Sequence, residues 1–194
     1  MENYNDRERL INQIQHYYPW NEQEKRDKEV ILERLCKEPD IFYRTNLLDH
    51  MSASAWVVNR ECTKVLMVYH NIYHSWSWLG GHADGEKDLL SVALKEVKEE
   101  SGVEHIRAVS EDIFSLEILT VDGHEKKGQY VPSHLHLNIT YLLEADESDS
   151  LRIKADENSN VAWFGLEEAV KASVEPWFQK RIYTKLNQKL QLII

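Results

Sequence analysis

Three carboxylates, Glu96, Glu99 and Glu100, are separated by three and four positions in the stretch GGHADGEKDLLSVALKEVKEESGV, Gly80 to Val103. On a helix, at about 100° per residue, they fall within an arc of roughly 100°. Like charges at these spacings each cost a few tenths of a kcal/mol, and the C-terminal end of a helix dipole disfavours anions further. A purely structural helix gains nothing from that crowding. A divalent cation reverses the sign, because Mg²⁺ and Mn²⁺ take carboxylate oxygens and usually share them with substrate phosphates. The chemistry implied is metal-assisted work on a phosphorylated substrate.

The elements around the carboxylates must present them. Paired glycines and an Asp84-Gly85 turn suit a tight loop; Asp88 is the natural N-cap, Leu90, Ala93, Leu94 and Val97 form an apolar stripe, and Gly102 stops the helix. Ahead of the loop, Ser52 to Val58 and Lys64 to His70 are β-rich, joined by a hairpin or short bulged connection. Between them and the glycines lie Tyr73, His74, Trp76 and Trp78. Trp76 is a candidate for the substrate mouth, and Trp78 for anchoring the loop in the core. Downstream strands are expected at His105 to Val109, Ile113 to Val121 and His134 to Leu143. The last alternates, with Leu135, Leu137, Ile139 and Tyr141 on one face and His134, His136, Asn138 and Thr140 on the other. The loop Asp122 to Ser133 carries Lys126, Lys127 and Gly128. Lys127 could close over an anionic substrate there, or the segment is a plain surface loop. Asp146 and its acidic neighbours, from Glu144 to Asp149, suit a solvated turn. A strand at Asn160 to Phe164, a short helix from Leu166 and a helix starting at Pro176, with Phe178, Ile182, Leu186 and Leu190 on one stripe, complete the chain. Residues 1–48 form a helical extension ahead of a main domain, 49–194. Asn21 caps its second helix with Glu24 in the capping-box position, and the Tyr17-Tyr18-Pro19-Trp20 cluster is expected to pack the extension onto the domain, beside the alternative of touching a nucleobase.

The loop and helix resemble the Nudix box, the signature of hydrolases acting on nucleoside diphosphates linked to another group. Lys95-Glu96-Val97-Lys98-Glu99-Glu100-Ser101-Gly102-Val103 matches its second half, with Lys95 where the pattern has Arg. The first half departs from it. Gly80 with Glu86 fits the opening but leaves one extra residue before Lys95, whereas Gly81 as leading glycine puts Lys87 where Glu belongs. The resemblance implies an α/β fold, an α/β/α sandwich with a mixed central sheet. It implies a Mg²⁺- or Mn²⁺-dependent hydrolase that cleaves a phosphoanhydride, with Glu96, Glu99 and Glu100 as metal ligands and catalytic groups and the Gly81 carbonyl completing the shell. Glu86 and Lys95 would brace the helix, loosely, because Lys offers a point charge rather than a fork. A strand in this part of a Nudix chain runs past the active site, which makes His134 and His136 candidates for phosphate contact or proton transfer, beside the alternative of solvent-facing histidines. Two rival readings share the fold. One is an isopentenyl-diphosphate isomerase, whose Gly-His pair Gly81-His82 resembles but whose cysteine beside the pair is missing; the other is a catalytically weak nucleotide-binding module.

Composition narrows the partners. A net charge of −10 opposes an extended nucleic-acid surface but not a small anionic substrate held through a metal. No apolar run approaches the roughly 20 residues of a membrane span. The polar start MENYNDRERL has no signal-peptide hydrophobic region, and Cys36 and Cys62 form no metal-ligand spacing. The expectation is a cytoplasmic protein with reduced thiols, acting on a nucleotide derivative, with no membrane partner; a homodimer is compatible with the sequence.

Overall fold

The computed structural model describes residues 6–126 and 128–193. In chain order the elements are α1 (Asp6–His16), α2 (Glu22–Lys37), β1 (Asp49–Val58), β2 (Lys64–His70), β3 (Ser75–Ser77), β4 (Leu79–His82), α3 (Leu89–Ser101), β5 (Ile106–Ala108), β6 (Ser115–Val121), β7 (His124–Lys126), β8 (Gln129–Val131), β9 (His134–Ala145), β10 (Asn158–Gly165), α4 (Leu166–Ala172), α5 (Pro176–Phe178) and α6 (Thr184–Leu190), with a π-helical turn at Gln179–Tyr183 between the last two. The strand order is β10-β2-β1-β9-β5, with β3 on β2, β4 on β1 and β6 on β9; β7 and β8 form a separate hairpin. This is the α/β class, with its mixed sheet, that the sequence implies. The chain divides into two compact units, one of Met1–Ser54, Gly81–Val92 and Asp112–Tyr141, the other of Ala55–Gly80, Ala93–Glu111 and Leu142–Ile194.

In the first unit, α1 and α2 bury Leu10, Ile14, Ile31 and Leu35. Asn21 caps α2, accepting the Glu24 N–H at 2.9 Å, and the Arg7 guanidinium closes its far end on the carbonyls of Leu35 and Glu38. The capping-box partner behaves differently from expectation. The Glu24 carboxylate is fully buried and accepts the Trp20 N–H, the Tyr17 hydroxyl at 2.5 Å and the Ser115 hydroxyl at 2.8 Å, so it fastens α2 to β6 instead of closing back on Asn21. Tyr17 thus packs the extension as expected, whereas Tyr18 is 92% exposed. The polar face of β9 is not a wet face. Asn138 accepts from the Ser52 and Ser54 hydroxyls, and the Glu117 carboxylate accepts from Asn138, Thr140 and Ser115, all of them buried. Buried polar groups survive only when paired, and here each finds a partner on a neighbouring strand. Arg34 grips Asp49, at the start of β1, with two bonds of 2.6 and 2.8 Å. The Asp122 to Ser133 segment is more ordered than a plain loop: β7 and β8 pair in it across Gly128, whose φ of +76° suits glycine at the turn.

In the second unit, β2 pairs antiparallel with β10, Leu66 opposite Trp163, and with β3, Tyr69 opposite Trp76. Trp56 is fully buried and stacks on Tyr183 at 5.4 Å. The edge of Trp78 meets Tyr183 at 5.8 Å, which makes it the core anchor expected of it. The Pro176 helix forms, but its π-helical turn shifts the stripe. Ile182, Tyr183, Leu186 and Leu190 are buried while Phe178 is only partly so.

Candidate functional site

Helix α3 carries the carboxylates, and its buried side is Leu89, Val92, Ala93 and Val97, one position off the stripe expected, with Leu90 and Leu94 half-buried. Asp88 caps it, its carboxylate accepting the Ser91 hydroxyl at 2.8 Å. At the other end Gly102 turns away with φ +76°, and a side chain there would meet Arg152. The Asn158 amide donates to the Glu100 carbonyl at 2.9 Å and the Arg152 N–H to the Ser101 carbonyl at 2.9 Å, so β10 and the segment before it satisfy the helix's last carbonyls.

The three glutamates differ in environment. Glu100 continues the buried stripe at 4% exposure, and its Oε2 accepts the Gly80 N–H at 3.0 Å. Burial, reinforced by Glu96 and Glu157, pushes its carboxyl up to about 8 against the Gly80 bond. Glu96 is also held above the usual carboxylate range, chiefly by burial and further by Glu99, with Lys154 opposing. Glu99 is open to solvent, with Lys154 at 3.3 Å and Lys95 at 3.7 Å. Lys154 also pairs with Glu157 at 2.8 Å; burial works against its charge, but the surrounding glutamates outweigh it and hold the ammonium above its ordinary range. A buried carboxylate that the protein leaves short of positive charge is the complement of a cation. The donor set is oxygen, which fits the hard Mg²⁺ or Mn²⁺ of the sequence expectation.

The residues expected to brace the helix make local contacts. The Glu86 carboxylate accepts the N–H groups of Lys87 at 2.7 Å and Asp88 at 3.0 Å, which closes the turn leading into α3. Lys95 reaches Glu99, one turn on. Gly81 lies next along β4 from the Gly80 that serves Glu100. Trp76 is half-buried, with Tyr69 and Phe164 against its ring at 5.6 and 4.7 Å. Lys127 lies outside the described residues.

His134 and His136 do come together, with Nε2 atoms 3.1 Å apart, and they have company the sequence did not announce. His50, at the start of β1, and His82, at the end of β4, join them so that one ring nitrogen of each lies within 4.8 Å of the others. Burial lowers His50, and burial aided by the neighbouring histidines lowers His136 to about 3. The signal available in the sequence was the His-x-His pair on a strand; His50 and His82 stand far from it along the chain, and only strand pairing collects them. Lys154 was missed for the same reason.

The NUDIX domain family model matches residues 48–186. The mouse protein bis(5'-nucleosyl)-tetraphosphatase [asymmetrical] is 25% identical over 130 residues, which cover 66% of this chain and 78% of the mouse protein. Its rat counterpart is 26% identical over 97 residues, 50% of this chain and 59% of the rat protein. Among solved structures, a C. elegans Ap4A hydrolase binary complex superposes with a TM-score of 0.50 at 22% identity, covering 74% of this chain and 96% of that one. A NUDIX family hydrolase from Clostridium perfringens superposes with a TM-score of 0.51 at 19% identity, covering 75% and 98%. The two structures bear on the fold.

Proposed function

The chain belongs to the Nudix family of hydrolases, and from that premise we propose that it is a divalent-metal-dependent enzyme cleaving a phosphoanhydride bond in a nucleoside diphosphate linked to another group. The observation that carries this is the carboxylate face of α3, where Glu100 is buried with its carboxyl pushed up to about 8 beside Glu96 and Glu99. Glu96, Glu99 and Glu100 would hold Mg²⁺ or Mn²⁺. When bound, such an ion neutralises phosphate charge and makes water a better nucleophile.

The chain's own groups prepare this. Glu100 must release its proton to become a ligand, so the site is set to exchange a proton for a cation near neutral pH. Lys154 restrains Glu99 and Glu157 and keeps the cluster from opening by mutual repulsion. Glu99, whose side chain is 41% exposed, is the glutamate we assign to orienting the attacking water. Glu86 holds the turn ahead of the helix, and Lys95 supports Glu99. Trp76 is retained as the group against which a nucleobase could stack; its partly open ring supports that role. The name of the mouse relative makes a dinucleoside tetraphosphate the first substrate to try. The acidic balance supports a small substrate over extended nucleic acid, and the free thiols of Cys36 and Cys62 support a cytoplasmic setting.

The test is a substrate panel of dinucleoside polyphosphates, nucleotide-sugars, nucleoside triphosphates and isopentenyl diphosphate, with Mg²⁺ or Mn²⁺ and with excess chelator. Metal-dependent release of a nucleotide product is expected. Isomerisation without hydrolysis, or hydrolysis undiminished in chelator, would overturn the proposal.

A further inference from the structure

We propose that His50, His82, His134 and His136 form a second metal site, one that takes a borderline transition ion of the Zn²⁺ class through four imidazole nitrogens. Imidazole nitrogen suits zinc, copper, nickel and iron, whereas magnesium and calcium prefer oxygen. This quartet therefore selects a different class of ion from the carboxylates of α3. All four histidines lie in the first compact unit, on β1, β4 and β9.

Three features of the quartet point to a ligand. The candidate donor atoms already lie within 4.8 Å of one another. Tetrahedral zinc with Zn–N of about 2.0–2.1 Å places its nitrogens about 3.3–3.4 Å apart. The Nε2 atoms of His134 and His136 stand at 3.1 Å, close to that spacing. The remaining ring nitrogens of two members are occupied as metal-bound histidines usually have them. Nδ1 of His50 lies 3.1 Å from the Asn46 carbonyl and Nδ1 of His134 lies 2.8 Å from the Pro132 carbonyl, so each Nδ1–H donates outward and each Nε2 turns its lone pair inward. Finally, hydrogen bonding accounts for the His134–His136 contact but leaves Nε2 of His50 without a partner, although His50 is only 3% exposed. A buried acceptor with no donor keeps its desolvation cost uncompensated, and a metal ion is a partner that would meet it.

His134 and His136 share a face of β9 because side chains two apart on a strand point the same way. His50 stacks on His134 with ring centres 4.8 Å apart, and the His82 ring stands at 83° to His136 at 4.8 Å. His82 and His136 are partly exposed, which leaves a way in from solvent. An ion held here would tie together three segments distant in sequence and would stabilise the folded form by mass action.

The test uses the full-length chain stripped with chelator and then titrated with Zn²⁺ alone, or with Co²⁺ as a spectroscopic substitute, in the presence of millimolar Mg²⁺. One equivalent of Co²⁺ should bind with the intense visible absorption of a tetrahedral nitrogen site, Zn²⁺ should displace it, and Mg²⁺ should not. X-ray absorption of the zinc-loaded protein should show imidazole nitrogens at about 2.0–2.1 Å. His136→Gln and His82→Gln should lower Zn²⁺ affinity by about 100-fold or more, since even outer-shell changes cost 10- to 100-fold. Glu99→Gln should leave the cobalt spectrum intact, whatever it does to hydrolysis. Absence of a stoichiometric site in the folded wild-type chain, an all-oxygen shell, or a spectrum lost in Glu99→Gln and kept in both histidine variants would overturn the proposal. The wild-type measurements decide the matter even if a histidine variant fails to fold.

Discussion

Replacing Glu100 with Gln should make the metal-free protein more stable at alkaline pH and remove part of its pH dependence. The folded carboxyl is pushed up to about 8, mainly by burial, from an ordinary 4.5. Between those values the folded chain holds a proton that the unfolded chain has lost. Stability from this group is fully present below pH 4.5 and is lost as pH rises through 8. At about 1.36 kcal/mol per unit, the difference between 8 and 4.5 sets a ceiling of about 5 kcal/mol, which water entry and relaxation would reduce. Gln keeps the shape and cannot ionise. In chelator, urea unfolding at pH 5 should give similar stabilities for the two proteins, while at pH 8.5 Glu100→Gln should exceed wild type by a few kcal/mol. Groups common to both cancel in the comparison. With Mg²⁺ the order should reverse: wild type should bind the ion more tightly as pH rises toward 8 and release a proton on binding, and the variant should do neither. Parallel stability curves for the two proteins across this range would refute the burial of an ionisable Glu100.

Other substitutions probe the supports. Lys154→Met removes the cation nearest Glu99 and Glu157, so calorimetric titration should show tighter Mg²⁺ binding while metal-free stability falls by about 1 kcal/mol. Gly102→Ala forces a side chain into φ +76° against Arg152 and should cost about 1–2 kcal/mol in denaturant unfolding, with no change in the unfolding slope. Asp49→Asn breaks a two-bond grip by Arg34 on a largely buried carboxylate and should cost about 1.5–3 kcal/mol, again by denaturant midpoint.

What the sequence made legible was local or periodic. Asp88, the glutamate spacing and Gly102 mark a helix by short-range rules, and the alternation after His134 marks a strand. Polar identity along β9 did not disclose burial, because Asn138 and Thr140 find their partners, Ser52, Ser54 and Glu117, only through strand pairing. The same reason hid Glu24, which reads as a capping residue and acts as a buried clamp on Ser115. Helical angle alone puts Glu100 on the acidic arc, yet the Gly80 N–H holds its carboxylate and Asn158, at the start of β10, holds its carbonyl. The π-helical turn after Phe178 has no periodic signature, and the stripe drawn from Pro176 onward drifts there.

The central claim is that the α3 glutamates bind the metal that drives hydrolysis, and the kinetics of Glu99→Gln test it most directly. Glu99 is exposed, so exchanging its charge for an amide should leave folding intact, and relief of like-charge repulsion is worth only about tenths of a kcal/mol. As a ligand it matters far more: losing one anionic oxygen should lower kcat/KM by about 100-fold or more, with part of the loss recovered at high Mg²⁺. Lys98→Gln, exposed on the same helix, serves as the control and should stay near wild type. A Glu99→Gln enzyme with wild-type kcat/KM at both limiting and saturating Mg²⁺ would contradict the account.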